Sequence, residues 1–149
     1  MSVLQIEIAS AGSAELVEPV NRLLPQLTSA PKALGREDLD AILASSSCLL
    51  ILARCDGHVA GMLTLGWFQA PTGARAFIND VVVDEHHRGR GIGEALVRSA
   101  LDQARRLNAK TVDLTSRPAR EAANRLYRRL GFEQRETNSY RYRFDAVSG

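Results

Sequence analysis

One stretch limits the fold more than any other. Residues 81–107 run from three valines through Asp84-Glu85-His86-His87 into Arg88-Gly89-Arg90-Gly91-Ile92-Gly93-Glu94, and then into a long apolar stripe. Valine favours a pleated strand. Leu96, Val97, Ala100, Leu101, Ala104 and Leu107 recur at helical spacing and predict an amphipathic helix. A strand must therefore pass through a glycine-rich turn directly into a helix. Glycine carries an entropic cost near a helix, so glycines at 89, 91 and 93 need a reason. A helix N-terminus has N–H groups without intrahelical partners and a partial positive charge. Glycines let that backbone come close to an anion, which makes a phosphate cradle. A tight turn that binds nothing would use the same glycines.

Two phosphate-binding patterns fail. A P-loop needs a lysine after its last glycine, and here Glu94 follows Gly93. A dinucleotide-binding fold places its glycines after the first strand, whereas these lie late in the chain.

The rest of the chain predicts one α/β domain over residues 1–149, with a mixed sheet and helices on its faces. Leu4, Ile6 and Ile8 alternate with Gln5 and Glu7, the pattern of a strand. Leu16 to Leu27 have helical spacing; Pro19 and Pro25 suggest a helix that begins at the first and frays at the second. Residues 36–45 read as a second helix, with acids in its first turn. The apolar run 48–55 is a buried strand, Asp56-Gly57 a hairpin turn, and 58–69 its partner. A loop at 71–74 leads to a strand over 75–84. Residues 110–116 form a further strand, and Pro118 opens a helix closed by Gly131. "FEQRET" and "SYRYRF" read as a closing hairpin.

Charge narrows the partners. Acids nearly balance bases, with a net charge of +2, so nucleic acid is not the expected partner. No apolar run is long enough for a membrane span. Cys48 and Cys55 have no zinc spacing and read as buried free thiols in a reducing compartment. With no signal peptide evident, the expected setting is cytoplasmic.

Arg88, Gly91 and Gly93 after "VVVDEHH", with "RLYRRLGF" at 125–132, resemble the GCN5-related N-acetyltransferases, the GNAT family. The resemblance covers most of the chain. It implies a mixed, mostly antiparallel sheet of about six or seven strands flanked by about four helices. It implies acetyl-CoA as cosubstrate and no metal. By this likeness Val81, Val82 and Val83 are the strand end that splays from its neighbour and pairs with the pantetheine arm. Arg88, Gly89, Arg90, Gly91, Ile92, Gly93 and Glu94 form the pyrophosphate loop. A backbone N–H near Val83 polarises the thioester carbonyl.

The likeness makes Tyr127 the general acid toward the departing thiolate, and also a contact of the donor. A phenol keeps its proton at neutral pH, which suits that role. A core tyrosine on an apolar helix face is the plainer alternative. The family often has asparagine seven residues before this tyrosine; here the position is Arg120. Asn124 is the substitute expected to bind pantetheine. Arg128 and Arg129 fit either the CoA phosphates or a solvated helix surface. Asp80 is the candidate base for the attacking amine, directly or through water, with a purely structural carboxylate as the alternative. Glu85 is a weaker candidate, and His86 and His87 are turn residues. The expected acceptor is a primary amine of a small molecule, lined on one side by residues 21–43. A protein lysine or N-terminus is second, and a non-catalytic acyl-CoA binding module is third. A homodimer is compatible with all three.

Overall fold

The centre of the sheet is a three-strand meander, and its turns are set by local chemistry. In this computed structural model, which describes residues 3–10 and 13–144, β2 (Cys48–Cys55) and β3 (His58–Ala70) close on Asp56-Gly57. Both turn residues have positive φ, 51° and 84°, the twist that a two-residue hairpin needs. β4 (Gly73–Val83) pairs back on β3 with Ala70 opposite Gly73. The loop expected at 71–74 is thus shorter, because Gly73 and Ala74 already belong to the strand.

The chain falls into two compact units, Met1–Thr115 and Ser116–Gly149. In the first, the element order is β1 (Leu4–Ile8), α1 (Ser13–Leu23), α2 (Arg36–Ala44), β2, β3, β4, α3 (Ile92–Arg106) and β5 (Thr111–Asp113). The strands lie in sequence order, β1-β2-β3-β4-β5. All pairs are antiparallel except β4 and β5, which are parallel.

Strand alternation separates two layers. Leu50, Leu52, Met62 and Val82 pack with Leu16, Val20 and Leu23 of α1 and Leu39 of α2. The other parity (Ile51, Leu63, Leu65) turns to the face that carries α3, whose Ile92, Leu96, Val97, Ala100 and Ala104 are buried. Gly61 is the point of close approach. A Cβ there would lie 3.0 Å from the Val82 carbonyl oxygen, 3.2 Å from Leu96 and 3.3 Å from Ile92. Its bare backbone lets the first turn of α3 settle on the sheet.

α1 begins at Ser13, not at Pro19 as its prolines suggested. Pro19 lies inside the helix and forfeits one hydrogen bond. Burial of Leu16, Val20 and Leu23 on both sides of it carries the helix through. Pro25 does end α1, at the start of a 3₁₀ turn, Leu24–Gln26.

The second unit contains α4 (Glu121–Arg129). The helix starts later than Pro118, since Arg120 N–H bonds back to Arg117 O and Pro118 sits within that turn. The closing hairpin does not form. Residues 132–144 have no regular secondary structure, so the described residues hold five strands, not six or seven, with four α-helices as expected. Alternation makes a strand only where a neighbour covers one face. Here Tyr140, Tyr142 and Phe144 are 84–88% exposed.

Candidate active site

β4 changes character at Asp80. Thr64 pairs with Asn79 and Met62 with Val82, so Asp80 and Val81 together face Leu63 alone. This is a β-bulge. Asp80 takes φ +52°, a left-handed conformation that aspartate tolerates better than most residues. The bulge reverses the strand's parity. Ile78 pairs with Leu65 and faces α3, while Val82 packs with α1 and α2. Asp80 itself is exposed.

The same strand is left half paired. β5 bonds only to Arg75–Phe77 of β4. From Ile78 to Val83 none of the described strands lies on that side, so the edge that contains Val81, Val82 and Val83 has no ladder partner among them, the kind of edge that strand-like pairing can use. β5 is too short to follow β4 further.

Past Val83 the chain makes a 3₁₀ turn, Glu85–His87, capped by the Asp84 carboxylate, which accepts from His86 N–H at 3.2 Å. Arg88 Nε donates to Val83 O at 3.3 Å. Gly89 and Gly91 both sit at positive φ, 78° and 77°, and Gly91 is the N-cap of α3. A Cβ at either would meet no protein atom within 4 Å. These glycines are thus required by conformation, and the space over the turn is open. The N–H groups of Ile92, Gly93 and Glu94 belong to the first helical turn and have no intrahelical partner. Glu94 pairs with Arg98 at 3.8 Å. Arg90 is exposed. The structure therefore brings Asp80, Val81–Val83 and Arg88–Glu94 into one continuous strand–turn–helix unit that ends in the free N–H groups of a helix N-terminus.

Asn124 and Tyr127 lie on α4, one turn apart. Tyr127 is buried, and burial raises its phenol above the usual 10.0, with the Arg120 charge opposing in part. The end of α4 fixes it. Phe132 N–H bonds to Tyr127 O at 2.9 Å and Gly131 N–H to Arg128 O at 3.1 Å, with Gly131 at φ +102°. This is a Schellman motif, and the Phe132 ring meets Tyr127 edge-on at 5.8 Å. "Tyr-Arg-Arg-Leu-Gly-Phe" thus encodes the placement of its own tyrosine. Asn124 Nδ2 donates to Arg117 O at 3.1 Å, so part of its amide is engaged in holding the turn before α4.

The sequence reading missed Asp84. It is only 3% exposed, and Arg22 of α1 donates to its carboxylate through Nη1. Burial alone would raise its pKa. The His86 N–H, the Arg22 and Gln26 hydrogen bonds and the Arg22 charge outweigh that, and the pKa is lowered from 3.8. His87 Nδ1 stands 3.7 Å from the same carboxylate. An aspartate that ends a valine run signals a cap; its partner 62 residues earlier has no local signature. Among the described residues no three His, Cys, Asp or Glu side chains form a metal-binding group.

The sequence profile of the acetyltransferase (GNAT) family matches residues 18–132. The chain belongs to the GNAT family. Streptothricin acetyltransferase of Streptomyces lavendulae is 32% identical over 115 residues, 77% of this chain and 58% of that protein. The chain spans 27–58% of the length of the curated relatives it matches. Among solved structures, an acetyltransferase of Trypanosoma brucei superposes with a TM-score of 0.77 at 25% identity, covering 94% of this chain and 99% of the other. An aminoglycoside N-acetyltransferase in complex with CoA superposes with a TM-score of 0.80 at 18% identity, covering 97% of each chain, a likeness of fold. No helix among the described residues of this GNAT chain is long and apolar enough to cross a membrane.

Proposed function

We propose that this GNAT chain transfers an acetyl group from acetyl-CoA to a primary amine of a small molecule. The observation that carries this is the pairing of an open β4 edge with the Gly89–Gly91 turn at the N-terminus of α3. An extended amide chain suits the edge and a pyrophosphate suits the helix end. CoA has both, in that order. Val81–Val83 would line the pantetheine. Arg88–Glu94 would hold the pyrophosphate, with the backbone of Gly89, Gly91 and Gly93 giving access and Arg88 and Arg90 adding charge. The family match crosses both compact units, which supports reading 1–149 as one transferase domain.

The chemistry follows from the side chains. Asp80 removes the proton of the acceptor's ammonium group, directly or through water. The amine nitrogen attacks the thioester carbonyl, whose developing negative charge is met by backbone N–H near Val83. The C–N bond forms and gives a tetrahedral intermediate; as it collapses the C–S bond breaks, Tyr127 gives its proton to the departing sulfur, and the proton shed by the new amide nitrogen restores the phenol. A phenol raised by burial stays protonated through neutral pH, as this role requires. Asn124 would contribute a hydrogen bond to the donor from the same side of α4. The small-molecule acceptor is supported by the streptothricin relative. The free thiols Cys48 and Cys55 suit a reducing, cytoplasmic setting.

The test combines calorimetry with CoA and thiol release from acetyl-CoA across small amines and peptides. The expected result is CoA binding with turnover on a small amine. Turnover on peptides alone would move the acceptor to protein. Binding without turnover on either panel would leave an acyl-CoA binding module, and no binding would overturn the donor site.

A further inference from the structure

We propose that Asp84 and Arg22 form a clamp that positions the glycine loop by tying it to α1, so that affinity for the donor's pyrophosphate is set partly from that helix. This rests on the proposed donor site. The geometry is a chain of short bonds. Arg22, in the last turn of α1, donates from Nη1 to Asp84 and from Nη2 to Val59 O at 2.8 Å. One guanidinium thus bolts α1 to the start of β3 and to the end of β4. A second bond runs beside it, from Glu85 N–H to Gln26 Oε1 at 2.8 Å, from the turn that ends α1. Asp84 passes the constraint on. Its backbone N–H bonds to Ala60 O at 2.8 Å, and its carbonyl receives His87 N–H at 2.8 Å. Arg88 and Gly89 follow at once.

Capping alone does not explain this arrangement. An asparagine or serine would satisfy His86 N–H equally well. A carboxylate whose side chain is 5% exposed is costly unless it is paired. Pairing with an arginine from another element links two segments that a cap would leave independent. The glycines need that link. Gly89 and Gly91 are held at positive φ with no atom within 4 Å of where a Cβ would stand, so side-chain packing there does not fix the loop path. The clamp fixes the chain just before they begin. Asp84 and Arg22 are positioning residues: they act on the donor through the loop.

The experiment compares wild type, Asp84→Asn, Arg22→Gln and the double variant. CoA affinity is read by calorimetry, and turnover is read with acetyl-CoA and with S-acetylpantetheine, which lacks the pyrophosphate. Asp84→Asn keeps the cap and removes the charge. Each single variant should weaken CoA binding about tenfold, the order expected for one charge-assisted hydrogen bond. The double variant should bind no worse than the poorer single. Turnover with S-acetylpantetheine should stay at the wild-type value, because that donor does not use the loop. If wild type binds CoA and both singles bind it as tightly, the clamp is overturned alone. If acetyl-CoA and S-acetylpantetheine turnover fall together, the pair is merely structural and the clamp is again overturned. If wild type does not bind CoA, the donor site itself is wrong. Should Asp84→Asn fail to fold, Arg22→Gln carries the same comparison, since the Arg22 side chain is 39% exposed.

Discussion

Gly91→Asp separates the two reasons for a glycine at the N-cap of α3. Gly91 has φ 77° and ψ 12°, and a Cβ there would meet no protein atom within 4 Å. Substitution therefore creates no clash, and its folding cost is conformational. A side chain in the left-handed region costs roughly 1–2 kcal/mol, less for aspartate and asparagine, which bond locally. The protein should stay folded, with a modest fall in Tm. Binding should respond far more. Two like charges about 4 Å apart repel by about 1 kcal/mol in water and about 4 kcal/mol at a partly shielded surface. The loop is exposed on its open side, so CoA affinity should fall by roughly fivefold to a thousandfold. Gly91→Asn is the control, with the same bulk and no charge. Calorimetry with CoA should place Asn between wild type and Asp. A folded Gly91→Asp protein with wild-type CoA affinity would refute the cradle. Equal losses in the Asn and Asp variants would refute the electrostatic reasoning and leave conformation as the cause.

Three further outcomes are expected. Asp80→Asn should slow turnover by roughly 10²- to 10⁴-fold near neutral pH and by less at high pH, where the amine loses its proton unaided; a pH-independent loss in steady-state rates would make Asp80 structural. Tyr127→Phe should lower kcat by about 10²-fold or more with CoA affinity retained, and the alkaline limb of the wild-type rate profile should lie above pH 10.0, because burial raises this phenol; unchanged kcat at a chemistry-limited step would make Tyr127 a packing residue. Asp84 has a pKa below 3.8 when folded, so the unfolded chain binds more protons in that window and stability rises with pH there. Thermal melts should show this contribution lost as pH falls from 3.8 through the folded pKa, with a shallower dependence in Asp84→Asn.

What could be read from the sequence was what local pattern determines. Asp56-Gly57 named its own turn, the valines and glycines of 81–93 named a strand–turn–helix, and Gly131 named a helix end. What could not be read depends on partners. "INDVVV" looks like unbroken strand, and only its register against β3 reveals a bulge at Asp80 and Val81. Arg22 sits among leucines like any solvent-facing arginine of an amphipathic helix, and its partner is 62 residues away. "SYRYRF" has strand alternation, yet its aromatic rings are exposed and no strand forms. Pro19 misled for a related reason, since the local penalty of a proline was outweighed by leucine and valine burial that the helix gains elsewhere.

The bulge also explains how a candidate base can sit in the middle of a buried sheet. In a straight strand Asp80 would share a face with Ile78, which is 4% exposed beneath α3. A lone carboxylate there would be driven to take up a proton or would destabilise the fold. Two residues opposite Leu63 remove that conflict. Asp80 leaves the pleat, and Val82 resumes on the opposite face, where α1 and α2 can cover it. The strand then ends as an open edge, because β5 stops at Asp113 while β4 continues to Val83. A carboxylate exposed at the bulge, a strand edge with no described strand beside it over the next three residues and a helix N-terminus after them follow one another along a single path of chain. An acceptor amine, a thioester and a pyrophosphate would meet those three features in that order. This linear order ties the GNAT reading to Asp80 in particular: Glu85 lies beyond the open edge, on the turn bonded to Gln26, and is the poorer base on position alone.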